Sequence, residues 1–323
     1  MVPNVPVVFP LLVAHAGMGT AGVVALLSGF LLGFGGFLLW MARRRPRSDV
    51  APPAPLATAD ERYAVVGQIG SGGHGAVYLA RDTVLGREVV LKRLGAGALA
   101  GSARDALVRE ARAAARVSHP NLVQIFDVTR LGDDDVLVME YVRGGTLADR
   151  IARGPVQPAI ALRLIAGILE GLRALHAAGV VHRDVKPANV LLTPELVPKI
   201  SDMGVARIDD TPGLSAPGVQ PGTVRYMSPE QARGDAVDGR ADLYAAAAVL
   251  YEMLTARHYL GAVPTTEYGL RQAIVERPPA LPVAALPPAI NGLLARGLEK
   301  DPTRRFQSAQ EFLGALRERA RAQ

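Results

Sequence analysis

The 323-residue sequence contains no cysteine. That excludes a disulfide framework and any thiolate metal site, and it suits a domain held in a reducing compartment. Residues 1–42 also lack Asp, Glu, Lys and Arg. Of the formal net charge of +6, Arg43, Arg44, Arg45 and Arg47 supply +4, so only +2 is left for the rest of the chain. The basic balance is therefore a local cluster, and no nucleic-acid partner is expected from it. Hydrophobic residues make up 49% and charged residues 20%, enough apolar surface to bury a core over most of the length. A chain of this size suits two domains or one large domain with appendages, and no internal repeat is visible.

The charge-free start is also apolar. From Thr20 to Met41 the sequence is almost wholly hydrophobic. At roughly 1.5 Å per residue such a stretch covers the ~30 Å hydrocarbon core of a bilayer. We read residues 20–42 as a transmembrane helix, preceded by a short segment over 1–19. Trp40 lies near its end, where an indole favours the interface, and the arginines follow at once. Arginines on that flank place everything after them on the cytoplasmic side. A buried soluble helix is the alternative, and both the length and the abrupt arginine stop speak against it. Ala14-His15-Ala16 resembles a signal-peptide cleavage site, but no positive side chain precedes it and a longer apolar run follows. Gly17, Ala21, Ala25, Gly29 and Gly33 recur at four-residue intervals, a stripe through which two such helices could pair into a homodimer. The competing reading is that small residues are simply abundant, with 34 glycines in the chain.

Residues 43–62 form a basic and Pro-rich linker. From Tyr63 the pattern becomes globular. Short β-rich runs cover Tyr63–Ile69, Ala76–Arg81, Glu88–Leu94, Leu122–Val128 and Val136–Met139, interrupted by a helical pattern from Ala103 to Val117. After Gly144 helices dominate. Ile160–Ala178 is one and stops at Gly179; others cover about 238–256, 287–298 and 308–321. A small β-rich lobe followed by a larger helical lobe is an α+β layout. It is expected to span 63–317, with a short tail over 318–323 and no sensor module after it.

Four motifs carry the chemistry. Gly70, Gly72 and Gly75 form a GxGxxG with Val77 two residues on. Glycines let a backbone approach phosphates closely, and the strand pattern that follows favours a hairpin over a dinucleotide-binding turn. Lys92 ends the run Val89-Val90-Leu91-Lys92, and Glu110 lies on the next helical pattern. Then come Val181-His182-Arg183-Asp184-Val185-Lys186-Pro187-Ala188-Asn189 and Asp202-Met203-Gly204, with a short strand pattern over Val197–Ile200 between them. In order and spacing, from about Tyr63 to Leu316, the chain resembles the eukaryotic-like (Hanks-type) protein kinases, particularly bacterial Ser/Thr kinases.

The resemblance implies a two-lobed kinase fold and transfer of the ATP γ-phosphate to Ser/Thr hydroxyls of proteins, in signalling and with autophosphorylation. It implies Mg²⁺ as cofactor, with Mn²⁺ as a substitute, and a bacterial inner (plasma) membrane as the location. Asp184 would orient the substrate hydroxyl and accept its proton. Asn189 and Asp202 would ligate the metal. Lys186 would stabilise the transferring charge, and its place two residues after Asp184 looks like the Ser/Thr class. Glu110 would hold Lys92 on the phosphates. Gly70, Gly72, Gly75, Val77, Val90, Lys92, Glu140, Val142, Asn189 and Leu191 would bind the nucleotide, with Met139 gating the inner pocket. Thr223 would touch Asp184 and Lys186. Glu230 would pair with Arg305, and Asp242 would accept N–H groups of the catalytic loop. Arg183 would await a phosphate on the activation segment, at Thr211 or Ser215, with Asp209 and Asp210 as a fixed-charge alternative.

Three positions depart from the family pattern: Met203 for Phe, Val90 for Ala, and Ala247 where Gly is frequent. None removes a catalytic group. The rival function is a pseudokinase acting as a membrane-tethered binding module. A non-kinase ATPase would need a Walker-type lysine beside the glycines, which is absent.

Overall fold

The computed structural model describes residues 62–72, 75–94, 102–132, 134–202 and 224–320, without the side chains of 71–72, 102–107, 110 and 319–320. The chain divides into a unit over residues 1–54 and a unit over residues 55–323, and the description concerns the second. The proposed membrane segment and linker, Met203, Thr211, Ser215 and Thr223 lie outside the described residues. Among the described residues, no helix is long and apolar enough to cross a membrane.

The architecture is α+β. Strands β1 (Tyr63–Gly72), β2 (Gly75–Asp82), β3 (Arg87–Arg93), β4 (Ile125–Leu131) and β5 (Asp134–Glu140) form an antiparallel five-stranded sheet in the order β1-β2-β3-β5-β4. Side chains along a strand alternate between faces. In β3 and β5 that alternation sends Val89, Leu91, Val136 and Val138 into a small core with Tyr78 and Ala80. Val90, Leu137 and Met139 go to the opposite face, into the main core shared with the helices. Lys92 has the parity of Val90, which carries a charged side chain, 6% exposed, to the face turned toward the helical lobe. Helix α1 (Ser102–Ala115) connects β3 to β4 and buries Ala111 and Ala114.

The helical lobe contains α2 (Leu147–Ala152), α3 (Pro158–Ala177), α4 (Pro229–Arg233), α5 (Gly239–Thr255), α6 (Glu267–Glu276), α7 (Pro288–Gly297) and α8 (Ala309–Ala320). A hairpin of β6 (Val190–Leu192) and β7 (Pro198–Ile200) lies between α3 and α4 in the chain. Pro158 opens α3, where a missing N–H costs nothing. Leu164, Ile165, Ile168, Leu169, Leu172 and Leu175 give it one buried stripe. Its end is set by Gly179 at φ 75°, while Val180 N–H donates to the Leu175 carbonyl at 3.0 Å. Helix α5 is buried nearly all round, with Asp238 as its N-cap. Its Ala245–Ala248 run explains the departure at Ala247. A Cβ placed on Gly297 of α7 would stand 2.5 Å from the Ala247 Cβ, so the glycine belongs to the facing helix instead.

One expected strand is shifted. The sequence pattern suggests Leu122–Val128, whereas β4 runs Ile125–Leu131. Leu122 instead forms an isolated parallel bridge to Ile200, and Val123 N–H donates to the Ile200 carbonyl at 2.9 Å. These apolar residues tie the sheet lobe to β7, a tertiary use that local β-propensity does not reveal. Helices α2, α4 and α6 and strand β6 were not anticipated. Of these, α2, α4 and β6 run for six, five and three residues, too short for a clear period, and α6 buries only Leu270, Ala273 and Ile274 of its ten.

Candidate active site

The loop between α3 and β6 carries His182, Arg183, Asp184 and Lys186, and its backbone is held from α5. Asp242, in the first turn of α5, is 1% exposed. It accepts from the His182 and Arg183 N–H groups and from His176 Nε2, each at 2.8 Å. A buried carboxylate is costly unless hydrogen-bonded, and these three donors supply the bonds. Arg183 has φ 65°, which a non-glycine residue seldom adopts. The Asp242 bond holds its N–H, and Gln231 Nε2 holds its carbonyl at 2.8 Å. His182 is fully buried. Its Nδ1 accepts from Asp184 N–H at 3.2 Å and its Nε2 donates to the Ser201 carbonyl at 2.9 Å, which fixes one neutral tautomer. Ser201 immediately precedes Asp202, so the imidazole joins the two acidic positions through backbone.

The side chains then converge. Lys186 Nζ lies 2.8 Å and Asn189 Nδ2 3.0 Å from Asp184 Oδ2. Asn189 Nδ2 also donates to the Asp184 carbonyl at 2.9 Å. With the amide nitrogen spent there, Asn189 presents its Oδ1 as a hard oxygen donor. Lys92 Nζ reaches Asp202 Oδ1 at 2.6 Å, which links β3 to the segment after β7. Asp202 sits at φ 60°, a conformation that Asp tolerates. Among the described residues, no group of three or more His, Cys, Asp or Glu could hold a metal. Asn189 and Asp202 together offer two hard protein oxygens, a set that a divalent cation keeping several waters can use.

The glycine-rich hairpin is explained only in part by its own packing. Gly75 is required by the fold: its φ is 104°, and a Cβ there would meet the Arg93 carbonyl at 2.6 Å. Gly70 is not. Its nearest neighbour would be Val77 Cβ at an ordinary 3.7 Å, and its φ is not in the left-handed region. The packing described around Gly70 would admit a Cβ. Gly72 pairs with Gly75 at the hairpin tip. Val77 stands opposite Lys92, and Val90 opposite Met139. Val90 and Met139 belong to the main core, with Val77, Val142 and Leu191 packed against it. The Glu140 carboxylate is committed elsewhere, accepting from Lys199 Nζ at 3.0 Å and Gln124 N–H at 3.2 Å.

The protein kinase domain profile matches residues 63–315. The chain belongs to this family. It is 40% identical over 262 residues to a probable serine/threonine-protein kinase of Streptomyces coelicolor, covering 78% of this chain and 39% of that one. It is 39% identical over 268 residues to the serine/threonine-protein kinase pkn2 of Myxococcus xanthus, covering 80% and 32%. Against the serine/threonine-protein kinase PknB of Mycobacterium leprae the identity is 36% over 268 residues, covering 79% and 42%. The chain thus spans well under half the length of these relatives.

Within this kinase domain the structure also places the expected supporting pair. Arg305 is 1% exposed and donates to both Glu230 oxygens at 2.7 Å. Its remaining protons go to the carbonyls of Glu299, Lys300 and Arg240, and its guanidinium lies over the Tyr244 ring. Burial, with Arg305 adding to it, lowers the neighbouring Lys300 ammonium to about 8. Glu110 lies on α1, with its side chain outside the described residues. Two residues that touch this machinery were not singled out from sequence. His176 carried no signal beyond its place on α3. Gln231 could have been found, because Ser228-Pro229-Glu230-Gln231 is a capping-box pattern.

Proposed function

We propose that this chain transfers the γ-phosphate of Mg·ATP to serine and threonine hydroxyls of proteins. The observation that carries the proposal is the convergence of Lys186 and Asn189 on one oxygen of Asp184. Among the described residues no hydrogen bond reaches Asp184 Oδ1, and that oxygen is left to orient a substrate hydroxyl and take its proton. Phosphoryl transfer asks mainly for positioning and charge neutralisation. Lys186 supplies a cation beside Asp184. Lys92, held at Asp202, supplies a second cation near the phosphates. Asn189 and Asp202 would hold Mg²⁺, with Mn²⁺ as a substitute; the metal's contribution is to neutralise charge on the phosphates. The bare backbone at Gly70 fits close approach of a phosphate chain.

The same proposal includes attachment to a bacterial inner membrane through residues 20–42, with the kinase domain on the cytoplasmic side. It further includes phosphorylation of Thr211 or Ser215 by a neighbouring copy. The support is the charge-free apolar segment, the arginines behind it and its small-residue stripe.

The test is incubation of the full chain with γ-labelled Mg·ATP and a generic basic protein, followed by acid hydrolysis. Labelled phosphoserine and phosphothreonine are expected, and both should vanish in Lys92→Met. Label confined to tyrosine would refute the hydroxyl class. No label above the Lys92→Met background, with nucleotide binding intact, would make the chain a binding module.

A further inference from the structure

We propose that Gln231 is a positioning residue for phosphoryl transfer, one that couples the start of α4 to the peptide bond bearing Asp184. The proposal rests on the kinase reading above and adds to it the residue that follows Glu230.

The geometry is specific. Gln231 is the N3 residue of α4, and Ser228 is its N-cap. Its Oε1 accepts from Ser228 N–H at 3.1 Å and from Ser228 Oγ at 3.2 Å. Its Nε2 donates to the Arg183 carbonyl at 2.8 Å, across forty-eight positions of sequence. The amide cannot be turned round, because a backbone N–H only donates and a carbonyl only accepts. One side chain therefore reads two loops at once, each through a different atom.

The loop it reads needs that hold. The Arg183 carbonyl belongs to the peptide bond that leads into Asp184. Arg183 is left-handed at φ 65°, a state that persists for a non-glycine residue only where the surroundings over-determine it. Asp242 fixes the N–H side of Arg183 from α5, and Gln231 fixes the carbonyl side from α4. Next to Gln231 stands Glu230, locked to Arg305. A displacement of α4 is thus passed to the Arg183–Asp184 peptide by a single bond. Nothing in an ordinary capping box requires that second bond. Glu serves as well as Gln at N3, since the cap uses only the acceptor oxygen.

That difference supplies the test. Gln231→Glu keeps the acceptor for Ser228 and adds negative charge in the first turn of a helix, where it is favoured. It removes the donor and sets a carboxylate oxygen against the Arg183 carbonyl. The full chain is assayed as wild type, Gln231→Glu and Gln231→Ala. For Gln231→Glu we expect an unchanged ATP KM, a thermal midpoint lowered less than in Gln231→Ala, and kcat lowered roughly tenfold, the size of leaving one hydrogen-bonding group unmatched. Hydrogen exchange over residues 181–186 should be faster. The ratio of its rate to wild type should recover as pH falls into the carboxylic range, because a protonated Glu can donate to the carbonyl again. Gln231→Ala, which loses cap and donor together, should lose both stability and rate, with no such recovery. A wild-type kcat in Gln231→Glu overturns the proposal, whatever the exchange shows. A lowered kcat that tracks a lowered midpoint, without recovery at low pH, also overturns it by reducing the role to structure. Wild-type turnover in the same assay decides the kinase reading separately. Unchanged exchange in Gln231→Glu sinks the Gln231 contact even if wild type proves inactive.

Discussion

Arg305 shows how a single buried residue ties three segments of the helical lobe together. Its guanidinium is fully buried and every bond it makes is to Glu230 or to a carbonyl. Arg305→Met would leave the Glu230 carboxylate buried without its partner, a loss of about 3–5 kcal/mol. Denaturant titration should show it as a lower midpoint with an unchanged slope; a loss under about 1 kcal/mol would mean that Glu230 finds water instead. His258 makes a second residue-scale case. It is 4% exposed, with Nε2 donating to the Arg225 carbonyl and Nδ1 accepting from Leu260 N–H. Both nitrogens are used by the neutral ring. Burial is the main cause that lowers its pKa to about 4. Between pH 6.5 and 4 the folded chain then binds fewer protons at this site than the unfolded chain does. The stability it contributes is present above pH 6.5 and is lost as pH falls through that window, on the order of 2–3 kcal/mol by pH 4. His258→Gln should be less stable at pH 7 and should lose less between pH 7 and 4.5. An equal acid loss in the variant would assign the effect to other groups.

Among the elements, the contact of α5 with α7 is set by one glycine. Gly297→Ala would press a methyl against Ala247, which the 2.5 Å approach does not allow without movement of backbone. A cost of about 1–3 kcal/mol is expected, and adding Ala247→Gly should recover part of it. Simple additivity of the two changes would show that the helices do not meet there. This contact also marks the limit of what the sequence conveys. Ala247 could be recognised as a departure, but not where the missing hydrogen atom of space had gone, because α7 lies fifty residues on. Long elements such as α3, with its apolar stripe, and α5, apolar nearly all round, were legible to within two residues or so. The pair Glu230 with Arg305 and the Asp242 bonds to His182 and Arg183 could be named from motif positions. The Leu122 bridge to Ile200, the His176 bond to Asp242 and the Gln231 bond to Arg183 could not. Each joins residues that no local pattern relates, and each is set by tertiary packing of short elements.

At the scale of the whole molecule, Lys92 with Asp202 at 2.6 Å is one of the described polar contacts that join the sheet lobe to the helical lobe. One end belongs to a sheet whose alternation delivers the lysine, the other to a backbone turn that only a few residue types accept. Several parts of the helical lobe bear on the loop that carries Asp184: α5 through Asp242, α4 through Gln231, and the residues flanking β6–β7 through Asn189 and Ser201. On the proposed function, Asp184 is the group that orients and deprotonates the acceptor hydroxyl. The most direct test is the turnover number of the full chain with Asp184→Asn, measured beside its ATP affinity and thermal midpoint. Turnover lower by at least about a hundredfold, with affinity and midpoint unchanged, is the expected result. Phosphorylation at the wild-type rate by the Asn variant would contradict it.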